Sequence, residues 1–414
     1  MPQWSDYSNG ERIKILRGAD LRQTDLAEMT GLSVVTIQKA EQDRALSLPT
    51  LLKIASALSV DTSVILGQQA PRRAMVRDDR TALRLLSTTV HDTASGYLPE
   101  GAEPVPIADL GEATRVAWDL YWSGDYQRLV GVLGPLLVDA AVTVSAMTGD
   151  SRLAAAGYLS DAYQIAACTA NLLGARDLAY AAVGHSRSAA QRADEPLRLA
   201  RVTSARSWVY LRDGRLREAL ELCEQAAATV EPRYSDASAE RLTVYGNLLT
   251  HCAVNAARME DEDRAGDYLS QVHAVGARLG VEHDFHGARF GPVTAVAQAV
   301  GVNVTIGRVG KALKLAGSVG RGQLGTLSDA ARNRYGLDVA MAQADAKMYD
   351  AALDTLEETL TAAPQWARHQ ALPGVIVQKV GRASTGRLRR VADLIGVRPG
   401  VEGGFLPATP KTAL

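Results

Sequence analysis

The chain has 414 residues, with 45 Lys+Arg against 46 Asp+Glu and a formal net charge of −1, which excludes a protein that coats nucleic acid through bulk positive charge. At this length two to three domains are expected, and the three widely spaced cysteines, Cys168, Cys223 and Cys252, point to reduced thiols rather than a disulfide framework. The N-terminus, Met-Pro-Gln-Trp-Ser-Asp, has no signal-peptide pattern and no run of about 18 apolar residues is read, so a cytoplasmic protein without a membrane span is expected.

In chain order, Arg12–Arg17 reads as an amphipathic helix. Gln23–Ala40 then places Leu26, Ala27, Ile37 and Ala40 on the inner faces of two short helices, with Leu32 plugging the corner between them. Gly31 falls where the chain must turn and takes φ > 0 without steric cost. Ser33 is placed to cap the second helix, its hydroxyl accepting from an unpaired backbone N–H. Pro49 stands near a third helix start, followed by Leu51, Leu52, Ile54, Ala55 and Leu58 at helical spacing, and Leu58-Ser59-Val60 leads to a last short helix ending near Leu66-Gly67.

This stretch, roughly residues 8–67, resembles the DNA-binding domain of the Cro/repressor family of helix-turn-helix regulators, the xenobiotic-response-element-like or XRE type. The matching residues are Gln23, Leu26, Ala27, Gly31, Ile37, Glu41 and the Leu58-Ser59-Val60 ending; the departure is Asp43-Arg44, where the family usually carries a glycine. The resemblance implies a five-helix, lambda-repressor-like domain in which Ser33, Val34, Val35 and Lys39 face the bases and Glu41 serves structure. If the second helix starts at Val34, its outward face carries Val34, Val35, Gln38, Lys39 and Gln42. A valine suits a thymine methyl, Gln38 suits adenine, and Lys39 suits guanine O6/N7. Gln23 opens the first helix, where amide and backbone N–H groups hold a phosphate. Arg22, Lys39, Arg44 and Lys53 are the basic residues available to cluster on one side. Residues 1–70 nevertheless hold seven Lys+Arg against eight Asp+Glu, so modest affinity per domain is expected, with dimerisation on a two-fold operator compensating.

Residues 68–107 read as a connector, with one helix from Arg77 to about His91 and a proline-rich close at 96–106. Beyond it a turn residue followed by apolar positions at +2, +5 and +9 recurs. The copies are Gly124/Tyr126/Leu129/Leu133, Gly174/Arg176/Ala179/Val183, Gly214/Leu216/Ala219/Cys223, Asp263/Ala265/Tyr268/Val272, Gly307/Val309/Ala312/Ala316 and Lys347/Tyr349/Ala352/Leu356. Pro232 and Pro364 each stop a helix. The pattern resembles the tetratricopeptide repeat, in which a small residue at +5 lets two antiparallel helices cross, and stacking of pairs supplies the core. Phe290-Gly291-Pro292 with the Gly307 repeat behind it resembles a regulator group abundant in actinobacteria. The order of domains is also similar to that of peptide-sensing quorum regulators.

In such repeats the first helix of each pair lines a concave face. Counting back from each turn residue places Thr114, Trp118, Tyr121 and Trp122 there, then Asp161, Gln164, Cys168 and Asn171, then Arg201, Ser204, Trp208 and Arg212. Thr114, Trp118, Tyr121, Gln164, Asn171, Arg201, Trp208 and Arg212 are the candidate ligand contacts, since apolar bodies give area and a few polar groups fix orientation. Ordinary inter-helix core is the competing reading for Trp118 and Trp208.

Other motifs carry less chemistry. Gly320–Gly325 fits G-x-G-x-x-G but follows a helix and lacks a βαβ setting. His283, Asp284 and His286 cluster in a stretch read as a loop, without further metal ligands at suitable spacing. Glu260–Asp263 reads as a solvated turn, and Arg387, Arg389 and Arg390 as the polar side of a final helix. No nucleophile-and-base arrangement is visible.

The expectation is thus an all-α protein with no cofactor, no metal and no enzymatic activity. A helix-turn-helix DNA-binding domain (1–67) and a linker with a helix (68–107) precede a tetratricopeptide-like α-solenoid (108–398) that senses a small molecule or peptide and forms a homodimer, then a flexible tail (399–414). The implied function is sequence-specific transcription regulation on a double-stranded operator. The alternative is an interaction scaffold whose helix-turn-helix domain docks a partner protein.

Overall fold

The structure is a computed structural model that describes residue 4 and residues 7–18, 21–44, 46–58, 60, 62–67, 77–233, 237–367, 369–381, 388, 390–391, 394–395, 397–399 and 405–407. Arg387, Arg389 and most of 399–414 lie outside the described residues. Contacts divide the chain into two units: Met1–Met75 with Asn303–Ser318 and Arg332–Leu414, and Val76–Val302 with Val319–Ala331. The single repeat domain expected over 108–398 is therefore split near residue 303.

The N-terminal domain consists of α1 (Asn9–Arg17), α2 (Gln23–Thr30), α3 (Val34–Glu41), α4 (Leu48–Ala57) and α5 (Thr62–Ile65). Short polar side chains start three of these helices. Ser8 forms a reciprocal capping box with Glu11, and the hydroxyls of Ser33 and Ser47 accept from the amides of Thr36 and Thr50. Ile13, Leu26, Ile37, Ile54 and Ile65 are fully buried and form the core. Asp43 replaces the glycine usual after the second helix of the motif. It adopts φ 60°, a region aspartate tolerates better than most residues. Its carboxylate accepts from the Gly10 amide at 2.7 Å, so the departure closes the loop onto the start of α1.

The second unit begins with α6 (Arg77–Ser95), which corrects the connector reading. Its apolar stripe, Leu83, Leu86 and Val90, is buried, and its Thr93 accepts a hydrogen bond from Tyr163 at 2.9 Å. Four antiparallel pairs follow: α7 (Ile107–Ser123) with α8 (Tyr126–Ala146), α9 (Gly149–Leu172) with α10 (Arg176–Ala193), α11 (Pro196–Arg212) with α12 (Leu216–Val230), and α13 (Ala239–Arg258) with α14 (Glu262–Leu279). Gly124, Gly174 and Gly214 take positive φ at the expected turns, and Leu129, Ala179 and Ala219 are fully buried at the crossings. The fourth copy is shifted. Glu260 holds the left-handed position (φ 64°), Asp261 caps α14, and the crossing residue is Ala265. The turn therefore lies three residues before Asp263, because a non-glycine residue occupies it.

The helix α8 also corrects the reading that no long apolar run exists. Among the described residues it is long and apolar enough to cross a membrane. Its Leu129, Leu133, Leu136, Leu137 and Ala140 are instead buried in the helical array. Cys168 is buried, and Cys223 and Cys252 are free neighbours in the core between α12 and α13.

The stretch containing His283, Asp284 and His286 is not one loop: His283 and Asp284 lie on a strand and His286 in the turn that follows it. It is an antiparallel hairpin, β1 (His283–Phe285) and β2 (Ala288–Phe290), with Phe285 opposite Ala288. It leads into α15 (Pro292–Thr305).

Then come α16 (Val309–Ser318), the four-residue α17 (Arg321–Leu324) that carries the G-x-G-x-x-G stretch, α18 (Asp329–Asp345), α19 (Tyr349–Ala362), the short α20 (Pro364–Ala367) and α21 (Leu372–Val380). The Gly307 and Lys347 turns both have positive φ, and Ala312 and Ala352 are fully buried, as the repeat requires. Residues 397–407 contain a second small hairpin, β3 (Val397–Pro399) with β4 (Phe405–Pro407), so the expected tail includes paired strands.

Candidate nucleic-acid interface and ligand groove

The α2–α3 corner is built by Gly31, in the left-handed region at φ 64°, and by the Leu32 amide, which bonds back to the Ala27 carbonyl at 3.1 Å. Beyond Ser33, α3 buries Ile37, Ala40 and Glu41 and leaves Val35, Gln38, Lys39 and Gln42 exposed, with Val34 half-buried. Val35 is 56% exposed, high for an aliphatic side chain on a helix. Arg44 is exposed just past the helix. Ser33 is exposed too, but its hydroxyl is engaged with the Thr36 amide at 3.1 Å and the Thr36 hydroxyl at 2.9 Å.

One network holds this face in place. The Glu41 carboxylate accepts from Arg17 Nε at 2.7 Å and from Gln23 Nε2 at 2.6 Å, and Glu41 is only 3% exposed. A charge buried that deeply is tolerated because it is paired and hydrogen-bonded. It ties α1, α2 and α3 together. Gln23 thus spends one amide hydrogen on Glu41, and only the rest of its amide remains for a phosphate.

In the second unit the first helices of the four pairs, α7, α9, α11 and α13, face the hairpin. Trp118 on α7 packs edge-on against Tyr121 (centroids 5.7 Å apart) and stacks with Trp122 at 6.3 Å. From α11, Arg201 lies over the Trp118 ring, its guanidinium carbon 5.4 Å from the centroid. The amide of Gln164 on α9, oriented to accept, takes hydrogen bonds from the same guanidinium. Next to this cluster Arg198 forms an ion pair with Asp161, both almost fully buried. Burial acts to raise the Asp161 pKa, but the Arg198 charge and His286 outweigh it and hold the carboxyl below its usual range. Burial, with the Arg201 charge second, pushes the His251 imidazole on α13 down to about 4.

Residues 13–65 match the helix-turn-helix family. The N-terminal domain is a Cro/repressor-type helix-turn-helix domain. None of the curated proteins compared with the chain matches it. Among solved structures the chain is similar to that of a Rap protein complexed with Competence and Sporulation Factor, with a TM-score of 0.43 and 11% identity over 70% of this chain and 87% of that one.

Within the helix-turn-helix domain the residues read as base-facing share one side of α3. The eight candidate ligand contacts do not stay together. Trp118, Tyr121, Gln164 and Arg201 converge in one groove. Asn171 instead bonds Arg176 and lies 3.5 Å from the Trp208 carbonyl, joining helix ends, while Arg212 covers the Trp208 ring at 5.7 Å. Thr114 is buried and donates to the Leu110 carbonyl of its own helix. Sequence reasoning missed Arg198 and His251 and weighed His286 only as a metal ligand. The helical period marks Arg198 as a groove position one turn before Arg201, but its role depends on Asp161 of α9 and on a hairpin too short to leave a pattern.

Proposed function

We propose that the chain is a transcription regulator that acts on DNA in the cytoplasm, a binding protein rather than an enzyme. Its helix-turn-helix domain reads a two-fold operator, and its helical repeats bind a small-molecule or peptide signal and pair two copies. The observation that carries this reading is the outer face of α3. Val35, Gln38 and Lys39 are exposed together on a helix fixed from behind by the Arg17–Glu41–Gln23 network. A rigid helix with amide, ammonium and methyl groups on its free side is what major-groove readout requires. Signal binding that shifts the separation of two such helices away from about 34–36 Å, one turn of duplex, changes operator affinity.

Gel-shift titration against genomic fragments at low salt tests the reading. Wild type is expected to select specific fragments, and Lys39→Ala to weaken that binding on the order of 10-fold, as expected for loss of one base contact of about 1–3 kcal/mol. Val35→Ala should relax selectivity at a single base pair. The even charge balance of residues 1–70 favours one rival, a domain that docks a protein instead. Absence of any sequence preference in wild type would establish that rival.

A further inference from the structure

The turn of the β1–β2 hairpin rests in the groove between α7, α9 and α11. His286 and Gly287 form a two-residue loop with φ of 48° and 75°, the primed geometry that suits a tight hairpin. The Gly287 carbonyl accepts from Arg201 at 3.3 Å. Its backbone lies flat on the indole of Trp118, where an added Cβ would stand 2.3 Å from Cε2. The His286 ring sits 3.2 Å from Arg198 and 3.6 Å from the carboxylates of both Asp161 and Glu195.

This occupant leaves the groove incompletely satisfied. Arg201 is 6% exposed, yet among the described residues no carboxylate lies within ion-pair distance of it, and its Nε–H has no acceptor. The indole N–H groups of Trp118 and Trp122 are likewise buried without acceptors. Buried N–H donors almost always have partners in folded proteins. Two such indole donors, with a guanidinium that keeps an unused N–H of its own and has no carboxylate in ion-pair range, therefore mark a site for oxygen acceptors carrying negative charge. The hairpin supplies one neutral carbonyl oxygen.

We propose that this groove binds a peptide through its free C-terminal carboxylate, with Arg201 as the counter-charge, and that the hairpin tip fills the place until the peptide arrives. The inference rests on the reading of the repeats as the signal-binding part. A terminal carboxylate has the main-chain shape that the groove already accepts, with a second oxygen and a full charge where Gly287 offers neither, so it can bond the guanidinium bidentately. The tip is suited to leave. Each strand has three residues, a length that is marginal by itself, and His286 occupies a region disfavoured for residues with a side chain. The base is suited to stay. Phe290 is fully buried against Gly246 of α13, and the Glu282 carboxylate accepts from the amides of Val293 and Thr294 at the start of α15.

The test uses the full chain and a fluorescent synthetic hexapeptide copying Glu282–Gly287, prepared as the free acid and as the C-terminal amide, with binding read by fluorescence anisotropy. Gly287→Ala forces the tip off Trp118 and is expected to bind the free acid at least 10-fold more tightly than wild type does. The amide should bind that variant at least 10-fold more weakly than the acid, and adding Arg201→Gln should erase the difference. Equal binding of acid and amide, or equal binding by wild type and Gly287→Ala, overturns the proposal. Should Gly287→Ala lose its helical circular dichroism, His286→Ala takes its place. It removes the imidazole contacts without crowding the ring, with a gain of about 3-fold expected and the same outcomes overturning the idea. Operator binding by the same preparations separates the two readings: normal DNA binding without peptide binding sinks only this inference, whereas peptide binding without DNA binding sinks only the regulator.

Discussion

Arg12 is a fully buried guanidinium in the helix-turn-helix domain, and it closes that domain from the inside. Its Nε donates to the Trp4 carbonyl at 3.0 Å, and one terminal nitrogen donates to Asn9 at 2.8 Å and to the Ile65 carbonyl at 2.9 Å. Burial, its largest influence, lowers its pKa to about 10. Gly67 packs so closely on this group that a Cβ would stand 2.2 Å from it. Replacing the cation with an apolar chain of similar length leaves those carbonyls unpaired in the interior. Arg12→Met is therefore expected to destabilise the domain by about 2–4 kcal/mol, measured as a lowered thermal midpoint. Glu41 and Arg12 show what residue-level reading yields. Glu41 was legible as structural through the family resemblance, and its carboxylate ties α3 to α1 and α2. Arg12 was not, since a helical wheel places it on a polar face and its decisive acceptor lies 53 residues away.

At the scale of elements, the repeats were legible wherever turn chemistry was explicit. Glycine marks the left-handed position at residues 124, 174, 214 and 307, and the crossing residue five positions later is buried each time. Two turns use other residues, Glu260 at φ 64° and Lys347 at φ 62°. Lys347 was still recognisable from Tyr349, Ala352 and Leu356 behind it, whereas Glu260 lies among acidic residues that offer several registers. The β1–β2 hairpin left no trace, because three-residue strands are too short to display a period of two. The left-handed conformation costs a residue with a Cβ about 1 kcal/mol or more. Lys347→Gly is accordingly expected to stabilise the chain by about 0.5–1 kcal/mol, the greater flexibility of unfolded glycine offsetting part of the gain. Denaturant titration at unchanged m-value checks this, and a lowered midpoint would contradict it.

For the molecule as a whole, the all-helical class followed from periodicity, but the division near residue 303 did not, because contacts across a repeat array leave no mark in its repeat pattern. The chemistry of the groove gives the second unit its own response to pH. His251, half-buried on α13, protonates only near 4 when folded, against an ordinary value of 6.5. Between those values the unfolded chain binds the extra proton and the folded chain does not, so stability falls as pH falls through this window. At about 1.4 kcal/mol per pH unit, the loss approaches 3 kcal/mol by pH 4. His185, lowered by burial and then by His91, acts in the same direction. The Asp161 carboxyl, held below its usual range, loses its contribution only at more acid pH. His251→Gln removes the first effect alone. Thermal midpoints followed from pH 7 to 4.5 should drop more steeply for wild type than for His251→Gln, with the two curves closest at the acid end. Parallel curves would mean that solvent reaches the imidazole freely and that α13 leaves the groove more open than its packing against the hairpin indicates.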